Sequence, residues 1–116
     1  MAILPAWAGS VQKRGELMRL LAIGRPRGGA DVRQIAHSAR EEMRALWQLY
    51  RDGVVREMYS PGQPGAVLVL ETAARKDAEA ALAGLPLAAD GVISFELIEL
   101  HPFSAFEVLF ADDART

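Results

Sequence analysis

At 116 residues the chain is long enough for one domain and short for two. Its 51% apolar and 24% charged residues make a globular balance, and the lack of cysteine excludes disulfides and thiolate metal sites. A formal charge of −2 lacks the basic excess of a nucleic-acid-binding face, and no apolar run approaches the ~18 residues of a membrane span, so neither partner is expected.

Residues 1–10 are apolar, with the Lys13-Arg14 pair after them, the reverse of a secretory signal. A cytoplasmic protein with an N-terminal arm over residues 1–16 is expected. The run LMRLLAI at 17–23 is bounded by Gly24, Pro26, Gly28 and Gly29 and reads as a central strand. Asp31 caps the helix that follows over 32–52. Val32, Ile35, Ala36, Ala39, Met43, Leu46 and Tyr50 recur there at helical spacing, Trp47 borders them, and Gly53 ends the helix. VVREMY at 54–59 is a more polar strand, suited to an edge. Alternation puts Val54, Arg56 and Met58 on one side of it, and Val55, Glu57 and Tyr59 on the other.

SPGQPG at 60–65 marks a turn, and AVLVL at 66–70 a strand apolar on both faces. Thr72 is placed to cap an alanine-rich helix through Leu82, which Gly84 and Pro86 terminate. After the Asp90-Gly91 turn, residues 92–100 form a strand stopped by His101-Pro102. Weak alternation over 105–110 suggests a further strand in a tail (105–116), pairing with an edge or with another subunit.

The order β-α-β-β-α-β is that of the α+β ferredoxin-like unit, expected over residues 17–104. It places the first and third strands, the two least polar, in the middle of a four-stranded antiparallel sheet. Two helices cover one face only. The third strand then needs a cover for its other face, and a partner sheet in a symmetric dimer supplies it.

Arg51-Asp52-Gly53, Val55-Arg56, the loop with Gly62, Leu85-Pro86-Leu87 and His101-Pro102 occur in this order and spacing. With them, residues 17–104 resemble the muconolactone isomerase family, dimeric α+β barrels of ferredoxin-like topology. The resemblance implies a homodimer or a ring of dimers. It also implies a cofactor-free isomerase that shifts a proton in a small unsaturated lactone during aromatic-compound catabolism. Where the family's second strand carries a His and ends in Trp-Arg, this chain has Glu57-Met58-Tyr59-Ser60. That departure touches the substrate expectation more than the fold. A monooxygenase or cyclase on the same scaffold, or a non-catalytic ligand-binding module, is the alternative.

Such a proton shift needs a base, donors for the developing enolate oxygen and a cation for a substrate carboxylate. Arg33, His37, Arg40 and Arg44 share one flank of the first helix, either as a cationic pocket wall or as a solvated face. The candidate proton carriers are Glu57, which takes the place of the family's His, together with His37 and His101. Arg56, Arg40, Tyr59 and Glu96 are the candidate substrate-binding residues. Glu96 shares a strand face with Ser94 and Ile98, opposite Phe95 and Leu97. Trp47 and Tyr59 suit either an aromatic-sized pocket or an interface. Gly24, Gly28 and Gly29 do not have phosphate-loop spacing, and no His/carboxylate spacing suggests a metal.

Overall fold

The computed structural model describes residues 17–111. The elements run β1 (Met18–Pro26), α1 (Val32–His37), α2 (Ala39–Arg51), β2 (Val55–Tyr59), β3 (Ala66–Thr72), α3 (Arg75–Ala83), α4 (Pro86–Ala89) and β4 (Ile93–Leu100). A 3-10 turn (Ser104–Glu107) and α5 (Val108–Ala111) follow. The strands form one antiparallel sheet in the order β2-β3-β1-β4. This is the expected ferredoxin-like arrangement, with the two least polar strands in the centre. The N-terminal arm expected over residues 1–16 lies outside the described residues.

Register assigns every strand residue to a face. Leu20 opposes Leu70 and Ala22 opposes Leu68, and these four join Leu46 of α2 and Ala78 and Leu82 of α3 in the core. On the other face lie Arg19, Leu21, Ile23 and Arg25 of β1, opposite Glu71, Val69 and Val67 of β3 and Leu100, Ile98, Glu96 and Ser94 of β4. Among the described residues the helices therefore cover one side, and the second side is an open sheet face.

Several local expectations are corrected. The helix over 32–52 breaks at Ser38, and α2 turns Glu42, Ala45, Leu46 and Leu49 inward. Val32, Met43, Trp47 and Tyr50 are exposed, because the break removes the continuous stripe that the sequence pattern assumed. Asp31 does cap α1, its Oδ1 accepting the Arg33 N–H at 2.9 Å. Thr72 does not cap α3. It is the buried last residue of β3, and its hydroxyl donates to the Ala74 carbonyl at 2.8 Å. The residues 105–110 are helical, not a strand, since they leave the sheet at Pro102 with no edge alongside them.

A bulge between Val55 and Glu57 reverses part of the alternation read for β2. Val55 opposes Leu70 and is buried on the helix side, while Glu57 and Tyr59 oppose Val69 and Val67 on the open face. Pro86 does end the preceding helical run, and it also starts α4 at the position where proline's missing N–H costs least.

Two glycines are fixed by neighbours. A side chain on Gly24 would meet the Phe95 ring at 2.6 Å, so this glycine of β1 makes the room in which that ring lies. Gly65 has φ +138°, and a Cβ there would overlap the Gly24 carbonyl. Gly65→Ala is therefore expected to cost about 1–3 kcal/mol. Gly28→Ala, in open space, should stay within about 0.5 kcal/mol of the parent in urea unfolding.

Candidate functional site

The residues expected to carry chemistry occupy three separate places. His37 ends α1 and Arg40 lies in the first turn of α2, both exposed. Trp47 stacks on Tyr50, centroids 5.7 Å apart, on the exposed side of α2. Glu57 and Tyr59 stand on the open sheet face, where the tyrosine hydroxyl donates to Glu57 Oε1 at 2.5 Å. That hydrogen bond to the carboxylate, and its charge, raise the tyrosine pKa.

Arg56 lies 3.6 Å from Glu71 on the same sheet face, and Glu71 is also held by Arg19 at 2.6 Å. Glu96 pairs with Arg25 at 3.0 Å at the β1–β4 side. His101 lines a wide, shallow groove of about 670 Å³ with Arg19, Glu71 and Leu100, its Nε2 3.6 Å from Glu99. The arginine bordering that groove is already neutralised by Glu71, a bond that raises the guanidinium pKa further. Of the expected residues, Arg56, Glu57 and Tyr59 share the bulged edge of the open face, while His37, Arg40 and His101 are elsewhere.

A more enclosed site lies between the helices and the sheet. Ile35, Ala39, Met43 and Leu46 of α1 and α2, Gly65 and Ala66 at the start of β3, Leu87 of α4, and Ile93 and Phe95 of β4 surround a cavity of about 120 Å³. Among the described residues, Glu42 is the sole ionisable side chain lining it. This glutamate is only 5% exposed, and its Oε1 accepts the Leu87 N–H at 2.9 Å. No sealed side-chain oxygen or nitrogen among the described residues lacks a partner, so Oε2 keeps an opening.

Burial raises the Glu42 pKa above the ordinary glutamate value, and the Leu87 N–H, which favours the carboxylate, opposes that rise only in part. The sequence carried a signal for this residue. Positions 42, 45, 46 and 49 also have helical spacing, and Glu42 is the one charge among them. The competing stripe through Met43 and Tyr50 is more apolar and masks it.

An apolar chamber lined by one carboxyl group of raised pKa suits a small, largely neutral ligand. Among the described residues no three His, Asp or Glu side chains gather as a metal site, and no helix is long and apolar enough to cross a membrane. No family model matches the chain, and no curated protein matches it.

Glu42 links folding to pH. Because its folded-state pKa is raised, its contribution is fully present below the unfolded-state glutamate pKa and is lost as pH rises through the folded-state value. Glu42→Gln keeps an acceptor for Leu87 and removes this titration. The parent should therefore lose stability relative to E42Q between acid and neutral pH in urea unfolding. Glu42→Ala strands the Leu87 N–H and should cost about 1–3 kcal/mol.

Proposed function

We propose that this protein is a cofactor-free isomerase that moves a proton within a small unsaturated lactone, with Glu42 as the proton carrier. The observation that carries this reading is a nearly buried carboxyl of raised pKa lining an apolar cavity. The lactone ring enters the cavity. Its polar substituent stays at the mouth, because no cation lines the interior. The Glu42 carboxylate removes the proton from an allylic carbon through Oε2, and the electron pair spreads onto the lactone carbonyl oxygen. The proton then passes from Oε2 to a carbon two positions along, and the double bond ends in its new place. Atoms and electrons balance without an oxidant or reductant.

The hydrogen bond to Leu87 holds Oε1, which fixes the carboxyl plane and aims Oε2. Raised pKa brings the base closer to neutrality, where proton abstraction and return are both accessible. Glu57, His37 and His101, proton carriers on the sequence reading, stand outside this cavity and take no part in the step. The protein works as a homodimer or a ring of dimers, with open sheet faces paired.

The same hydrogen bond favours a second reading. Glu42 ties α2 to α4, as a purely structural acceptor would, which suits a non-catalytic module that binds a small apolar ligand.

Incubation with muconolactone or a simpler unsaturated butenolide should give a first-order ultraviolet change without added cofactor. Glu42→Gln should lower kcat/KM by about 10²-fold or more. Since the carboxylate is the active form, kcat/KM should rise with pH through a pKa above that of an ordinary glutamate. Saturable binding without turnover would establish the second reading, and full activity in E42Q would remove Glu42 from the mechanism.

A further inference from the structure

The Phe95 ring stands between two hollows on the helix side of the sheet. One is the Glu42 cavity of about 120 Å³. The other is a groove of about 310 Å³ between α3, α4 and β4, lined by Arg27, Arg75, Glu79 and Leu97 among others. Ile93 and Phe95 line both. We propose that Phe95 is a specificity-determining partition, whose ring confines the cavity to a one-ring ligand and shuts off an outer chamber suited to the acid group of a larger one. The inference rests on the cavity being the ligand site, as in the proposed function, and adds what limits the ligand's size.

Volume is the first argument. An apolar cavity of roughly 150 Å³ holds one benzene, and pockets for larger ligands start near ~300 Å³. The Glu42 cavity is therefore of one-ring size. Of the two shared walls, Ile93 is buried with Leu87 and Val92, whereas Phe95 is half-buried and packs against both core clusters. The place of the ring is the second argument. A Cβ on Gly24 would come within 2.6 Å of it, so the ring lies directly over the β1 backbone. Glycine floors the space that loss of the ring would open, and no side chain there would refill it.

Charge is the third argument. Arg75 is already committed: Nη1 lies 3.3 Å from Glu99 Oε2, Nη2 donates to the Leu97 carbonyl at 3.1 Å, and Nε lies 3.7 Å from Glu79. The last contact offsets Glu79, the one acid lining the groove among the described residues. Arg27 makes no ion pair among the described residues. Its backbone is pinned, the N–H donating to the Val92 carbonyl at 2.8 Å and the carbonyl accepting the Ala30 N–H at 2.9 Å. The groove thus carries one anchored guanidinium with its donors available, which suits a carboxylate.

Calorimetric titration of the full chain with phenol, naphthol and naphthoate tests this, with far-UV circular dichroism to confirm that each variant is folded. The parent should bind phenol at least about tenfold more tightly than naphthol. Phe95→Ala should abolish that preference, and Phe95→Leu, which keeps an apolar side chain in the core, should reduce it. In the F95A background naphthoate should bind more tightly than naphthol, and Arg27→Gln should remove that advantage, a loss of about two- to fivefold at an exposed cation. Equal binding of phenol and naphthol by the parent, or a preference that folded F95A and F95L leave unchanged, would overturn the partition while leaving the cavity as the ligand site. Naphthoate binding in F95A that is indifferent to R27Q would overturn the outer chamber. Failure of the parent to bind phenol at all would overturn both the cavity reading and this inference.

Discussion

The hydrogen bond from the Leu87 N–H to Glu42 Oε1 ties the parts of this structure that matter for function. It joins the first turn of α2 to the first turn of a four-residue helix that lacks a side-chain cap of its own. A helix so short does not hold itself together, and its conformation comes from tertiary contacts. Leu87 is buried, and its cluster with Val92 and Ile93 anchors the start of β4. Through that bond one carboxylate holds α4 against α2, and the cavity lies between these helices and the sheet. The cost is a charge taken largely out of water, which appears as the raised pKa. The feature that makes Glu42 expensive to fold is the one that suits it to exchange protons.

The sheet separates two kinds of surface. Its helix side is continuous apolar packing through Leu20, Ala22, Leu68 and Leu70, interrupted near β4 where Gly24 leaves room for the Phe95 ring. Its open side carries a central apolar field with ion pairs around it, Arg19–Glu71–Arg56 on one flank and Arg25–Glu96 on another. Exposed pairs of this kind contribute little to the stability of a monomer. In the dimer proposed above, their placement around an apolar centre would give them a different value, as specificity for the matching surface of the second copy.

The architecture was legible because it depends on patterns that survive averaging. Near-continuous apolar residues in 17–23 and 66–70 mark central strands, and the Asp31 cap and the 60–65 turn mark where the chain changes direction. What the sequence hid depends on single-residue events. The bulge at Val55–Glu57 moves one valine into the core and leaves two polar side chains outside, which strict alternation does not encode. The helix divides at Ser38, and the buried residues of α2 are Glu42 and Leu46, a face that the more apolar stripe through Met43 and Tyr50 conceals. Strict alternation sets Arg56 on the face opposite Glu57 and Tyr59, whereas the bulge leaves all three on the open face and outside the enclosed cavity. His101 marks the end of β4, and the arm that begins after it is helical because Pro102 takes it away from any strand edge.

The central claim is that Glu42 is a protonatable group in direct reach of a ligand in the cavity. The most direct measurement is a side-chain carbonyl ¹³C NMR titration of the glutamates, with Glu42 assigned by its loss in E42Q, run with and without a saturating butenolide. The account predicts that Glu42 titrates above the ordinary glutamate range and that the ligand shifts its resonance and its midpoint. An ordinary midpoint that the ligand leaves unchanged would contradict it.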